Sequence, residues 1–208
     1  MNRSAGRALL LALVLVSLLL TAVVAPAAVA DDASDDFTAD SHQPRGGSIR
    51  QTLELIAAWI ATAPFRDLEY AKTHGYPADA TGCLDFPNGY MSFGPGAMTT
   101  HWINPELFND GGRLDVRKPE ALQYEPQADG SMRLVSVEYI IPESDLPRTA
   151  EPPVLFGREM LFHPDFGVWA THAWLWSYNP YGIFADVNPN VDCEHADEVS
   201  GAAPHAHP

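Results

Sequence analysis

Apolar and polar positions change period three times along this chain. Residues 8–24 are apolar apart from Ser17 and Thr21, with Arg3 and Arg7 before them and Ala28-Val29-Ala30 after. A basic flank, an apolar stretch and a small-x-small site predict a secretory signal peptide over residues 1–30. About 17 apolar residues approach the lower limit of a membrane span, so the alternative is an anchor. The small-residue site favours cleavage, which would leave no stable span.

Residues 31–47 (DDASDDFTADSHQPRGG) are acidic and almost without large apolar side chains, and they read as a disordered linker. From Ser48 the period becomes helical. Ile49, Leu53, Ile56, Ile60 and Ala63 recur every three or four positions behind Ser48 as N-cap, which predicts a helix with that stripe turned inward. Pro64 can open a second helix carrying Phe65, Leu68 and Ala71, and His74-Gly75 is a stop signal.

Beyond Gly75 the period shortens to two. Strands are predicted at 97–103, 121–125, 132–141 and 168–176, with a weaker one at 154–162. Ala128-Asp129-Gly130-Ser131 predicts a hairpin between the second and third. A helix pair followed by strands indicates an α+β domain, its helices packed on a mainly antiparallel sheet, curved or barrel-like. The domain spans 48–193. The remaining 194–208 form a flexible tail that carries His195, His205 and His207.

Cysteine and charge set the compartment and remove function classes. Cys83 and Cys193 are the only cysteines, without zinc-ligand spacing or a C-x-x-C motif, so in an exported protein they predict one disulfide. With 12 Lys and Arg against 27 Asp and Glu the formal charge is −15, and loss of Arg3 and Arg7 makes it more negative. A cationic surface for nucleic acid or anionic lipid is missing.

Strand alternation then places the candidate chemistry. In 132–141, Glu138 shares a face with Met132, Leu134, Ser136 and Ile140, and the other face is apolar. In 168–176, His172 sits with Val168, Ala170, Trp174 and Trp176. In 97–103, His101 sits with Thr99 and Ile103, and His163 stands at the end of the weaker strand. Two histidines and a carboxylate are the ingredients of a site for one divalent transition metal with open positions, His163 being an optional fourth ligand. The competing readings are metal-free acid/base chemistry and core imidazoles with ordinary hydrogen bonds. A buried Glu138 needs a cation: Arg133, Arg158, a histidine or a metal. Trp102, Trp174, Trp176 and Tyr178 offer a different class, an aromatic-lined pocket for a small molecule or carbohydrate. Neither a nucleophile elbow nor a phosphate loop occurs.

The segments GAMTTHWIN, PEALQYEP, LVSVEYI and HAWLW together resemble an uncharacterised family of exported bacterial proteins, over roughly residues 56–193. That family usually has glycine at the position of Thr99. The resemblance implies that the His101, Glu138 and His172 segments belong to one domain, and it carries no activity, cofactor or catalytic residue. The sequence therefore leads to an exported small-molecule enzyme with a His/Glu, metal-assisted site on the sheet, or alternatively to a non-catalytic ligand-binding module.

Overall fold

The computed structural model describes residues 48–196. The segments predicted as a signal peptide (1–30) and a linker (31–47), and the predicted tail from 197 onward, lie outside the described residues.

Helix α1 (Ile49–Thr62) begins where Ser48 Oγ accepts the Gln51 N–H at 3.1 Å. A 3-10 turn (Ala63–Arg66) with Pro64 in its first turn follows. Asp67 then caps α2 (Leu68–Thr73) by accepting the N–H groups of Glu69 and Tyr70. The helix pair is as expected, but the face of α1 that meets the sheet is not. Ile49, Leu53, Ile56 and Ile60 are 82, 61, 46 and 61 % exposed, while Ala58 and Thr62 are fully buried and Leu55 packs on the core. The side chains that dock the helix explain this. Gln51 Nε2 donates to the Phe156 carbonyl at 2.8 Å, Trp176 Nε1 donates to Thr62 Oγ1 at 3.2 Å, and Trp59 stacks on Trp176. Small residues at 58 and 62 let the backbone come close, and polar anchors set the rotation. Periodicity marks a helix's apolar stripe but not which stripe the rest of the chain covers.

Strands β1 (Leu84–Phe86), β2 (Gly96–Ile103), β3 (Ala121–Pro126), β4 (Met132–Pro142), β7 (Leu161–His163) and β8 (Val168–Ala173) form one curled antiparallel sheet in the order β1-β2-β3-β4-β8-β7. The four-residue helix α3 (Pro105–Phe108) lies between β2 and β3, and the predicted turn joins β3 to β4. The weak segment at 154–162 resolves into a separate small hairpin, β5 (Val154–Leu155) with β6 (Arg158–Glu159), and edge strand β7. Strand β8 stops at Ala173, three residues short of the predicted end, because Trp174 N–H turns to Ile183 O and Trp176 N–H to Val135 O. The chain folds back across the sheet at that point.

One face of the sheet carries Leu122, Tyr124, Leu134, Val137, Tyr139, Ile141 and Trp169 into the main core under the helices. Leu134 lies on this face and not with Glu138, because a bulge sets Gln123 opposite Ser136 but Tyr124 opposite Leu134, so alternation slips at Val135. The other face is covered by the irregular stretch 174–193. Ala97 and Asn188 exchange backbone hydrogen bonds at 3.0 and 3.1 Å, Val187 packs near Met98, and Val191 packs near Ala97 and Trp174. The Cys83–Cys193 disulfide fastens the end of this cover beside β1. No helix among the described residues is long and apolar enough to cross a membrane.

Thr99 sits at a second irregularity, where β1 and β2 lose register, with φ +68°. A β-branched residue in the left-handed region is strained, and the fully buried Thr99 Oγ1 has no hydrogen-bond partner. Thr99→Gly removes both penalties at the cost of some unfolded-state entropy. The expected gain is about 1 kcal/mol, visible as a higher urea midpoint; an unchanged or lower midpoint would contradict the strain.

Candidate metal centre

Pairing and alternation bring the three predicted side chains together. Glu138 on β4 pairs directly with His172 on β8, and His101 on β2 pairs with Gln123 on β3, the strand between. All three point to the face covered by 174–193. One ligand atom from each of His101, Glu138 and His172 lies within 4.8 Å of the others, and all three residues are buried. His101 Nε2 is 3.4 Å from Glu138 Oε2, and His172 Nε2 is 3.6 Å from Glu138 Oε1. Histidines, and not Arg133 or Arg158, therefore face Glu138. Arg133 pairs with Glu125, and Arg158 lies over the Phe184 ring.

Hydrogen bonds behind the site fix the His101 tautomer. Thr81 Oγ1 donates to the Gly82 carbonyl at 2.8 Å, so it accepts from His101 Nδ1–H at 3.1 Å and the lone pair is left on Nε2. The Gln123 amide N–H donates to that lone pair at 2.7 Å. Gln123, which strand alternation alone did not single out, thus occupies the Nε2 position that any ligand of His101 would need.

An uncommon group of buried atoms lacks hydrogen-bond partners here: Glu138 Oε2, both ring nitrogens of His172, His163 Nε2 and Asp186 Oδ2. Such groups are few in a folded protein, and here they are concentrated around one imidazole. Burial and the neighbouring His172 lower the His101 pKa to about 3, so its ring is neutral. His163 is lowered to about 4, chiefly by burial and against the pull of Asp186. Burial raises Glu138 against the opposing charge of His172. Burial acts to lower His172 as well, but Glu138 and Asp186 outweigh it and the ring is raised.

His101, Glu138 and His172 form the polar end of a cavity of about 190 Å³ whose other walls include Leu84, Met98, Ile103, Ile140 and Phe166. His163 also lines it but does not join the trio. Its Nε2 faces Asp186 Oδ1 at 3.6 Å, on the far side of His172, whose Nδ1 is likewise 3.6 Å from Asp186 Oδ1. Sequence reading missed Asp186. The available signal was a lone carboxylate in the apolar run IFADV, within the stretch that turns back over the sheet end.

The aromatic residues do not gather around the cavity. Trp102 lies beneath Lys72 and edge-on to Tyr124 on the helix side, and Trp176 stacks on Trp59. Trp174 is buried behind His172 with its Nε1 donating to Ala185 O, and Tyr178 is 78 % exposed. The early end of β8 carries Trp176 to the helix side, while Trp174 stays on the His172 face but is buried away from the cavity, so no shared tryptophan pocket forms.

No family model, no curated protein and no solved structure matches this chain.

Proposed function

We propose that this is an exported metal-dependent enzyme acting on a small, largely apolar molecule, with His101 Nε2, Glu138 and His172 Nε2 holding a divalent transition ion. The observation that carries the reading is the buried trio itself, with Glu138 Oε2 and His172 Nε2 unpartnered beside a largely apolar cavity. Two imidazoles and one carboxylate on one side of an ion leave positions free for water or a donor atom of the substrate. The ion would supply Lewis acidity or an activated water there. Thr81 orients His101, and Asp186 lies behind His172 where an orienting carboxylate is usual for a metal-bound imidazole. The apolar walls would select the substrate and exclude bulk water. The disulfide suits the oxidising compartment that a cleaved leader implies.

The test is a titration of chelator-stripped full-length protein with Zn²⁺, Mn²⁺, Fe²⁺ and Cu²⁺, followed by calorimetry and elemental analysis. At least one ion should bind per chain, and Glu138→Ala should weaken binding by about a hundredfold or more, since it removes a charged ligand. Absence of binding in the intact protein, or binding indifferent to Glu138→Ala, would sink the proposal.

A further inference from the structure

His172 has an equivalent environment on both sides of its ring. The His101 and His163 rings each lie 6.4 Å from it, centroid to centroid, tilted by 77° and 73°. Each ring nitrogen faces a carboxylate oxygen at 3.6 Å, Nε2 toward Glu138 and Nδ1 toward Asp186. Beyond each carboxylate is the Nε2 of a further histidine, His101 at 3.4 Å and His163 at 3.6 Å. His163 Nδ1 is engaged with the Tyr90 hydroxyl at 3.3 Å, which leaves its Nε2 as the nitrogen turned toward Asp186.

Separations of 3.6 Å exceed the usual 2.7–3.2 Å of an N–H···O hydrogen bond. They match an edge of a coordination shell, because two ligands each about 2.0–2.2 Å from one ion at tetrahedral angles lie roughly 3.3–3.6 Å apart. His163 Nε2, His172 Nδ1 and Asp186 Oδ2 all lack partners, and the three residues are 1, 1 and 2 % exposed. Charge attraction draws both ring nitrogens toward Asp186, but at 3.6 Å it closes no ordinary hydrogen bond with either, and Oδ2 is left without a partner.

We infer that His172 bridges two cation positions, Nε2 serving the ion held by His101 and Glu138 and Nδ1 serving a second divalent ion held by His163 and Asp186. The inference rests on the first site being a metal site. Bridging makes the ring an imidazolate: every proton on its two nitrogens is released to water as the two metal–nitrogen bonds form. Only the ligand atoms of the first trio lie within 4.8 Å of one another, so His163 and His172 must draw together about an ion at the second position, which fills at higher ion concentration. Its ligand class is a divalent transition cation that accepts nitrogen and carboxylate donors, such as Cu²⁺ or Zn²⁺.

Cu²⁺ loading of the stripped, full-length protein tests this by electron paramagnetic resonance, because two copper ions joined by imidazolate are spin-coupled. Copper on a surface histidine gives an uncoupled signal and does not interfere. The expected result is a coupled pair in the intact protein that becomes one uncoupled copper in Asp186→Asn and in His163→Ala, with His172→Ala abolishing coupling altogether. Circular dichroism checks each variant's fold, and the intact protein alone decides the matter if a variant does not fold. Two uncoupled coppers would show independent sites and overturn the bridge. A single copper, unchanged in number in Asp186→Asn, would make Asp186 a positioning residue behind His172 and also overturn it. Failure of the intact protein to bind copper or any other ion tested would instead overturn the first site.

Discussion

Glu120→Gln is expected to flatten the loss of stability that this protein suffers as pH rises toward 8, leaving the variant more stable than its parent above neutrality by on the order of 3–5 kcal/mol. Glu120 is 1 % exposed, and its Oε2 accepts the Ile140 N–H at 3.0 Å. Burial pushes its pKa up to about 8 despite that hydrogen bond, with Asp110 and Glu138 adding to the rise. A carboxyl raised in the folded state binds its proton more tightly there than in the unfolded chain. Its stabilisation is complete below the unfolded value near 4.5 and is lost as pH climbs through about 8.

His101 and His163 act in the opposite direction. Their folded values of about 3 and 4 lie below the ordinary 6.5, so they favour the fold increasingly as pH rises to that value. The two effects overlap between about 4.5 and 6.5, and the Glu120 contribution separates cleanly only from 6.5 to 8. Glu138 and His172, both raised, add to the loss with rising pH but are common to parent and variant. Glutamine retains an oxygen for the Ile140 N–H and cannot ionise. Urea unfolding at a series of pH values decides the point: parallel curves for the two proteins between pH 6.5 and 8 would show that Glu120 does not carry the charge ascribed to it.

The parts of the site that alternation could locate were those on well-paired strands. His101, Glu138 and His172 each stand among apolar neighbours in a run of period two, and antiparallel pairing of adjacent strands did the rest. Legibility failed where the determinant was not a period. Alternation in β4 misplaced Leu134 because a bulge, which adds one residue without a sequence mark, reverses the face on its far side. The stripe Ile49, Leu53, Ile56 and Ile60 was legible as a helix but not as an outward face, since contacts of Gln51 and Thr62 with distant residues decide the rotation. Asp186 belongs to an irregular stretch whose path is set by turns at Asn179 and Asn188 and by the bridge to Ala97, none of which has a spacing that points at His172.

That same irregular stretch makes the disulfide the other large lever. Replacing Cys83 and Cys193 together by serine is expected to cost about 4–5 kcal/mol, because the bond closes a loop with a sequence separation of 110. Against a total of roughly 5–15 kcal/mol for a domain, that is a large fraction, and the melting temperature should fall by on the order of 10–20 °C. The site should suffer beyond the loss of global stability. Cys83 is two residues from Thr81, which holds His101 in its tautomer, and Cys193 ends the cover that carries Asp186. Both outer supports of the histidine row are thus tied by one bond. Thermal melts of the oxidised, reduced and doubly substituted proteins measure the first effect, and ion titration well below the lowered melting temperature measures the second. A shift of only a few degrees would mean that packing of Val187 and Val191 holds the cover in place without the bond. Unaltered ion affinity after reduction would place the support of His101 and Asp186 in the sheet and turn hydrogen bonds rather than in the disulfide.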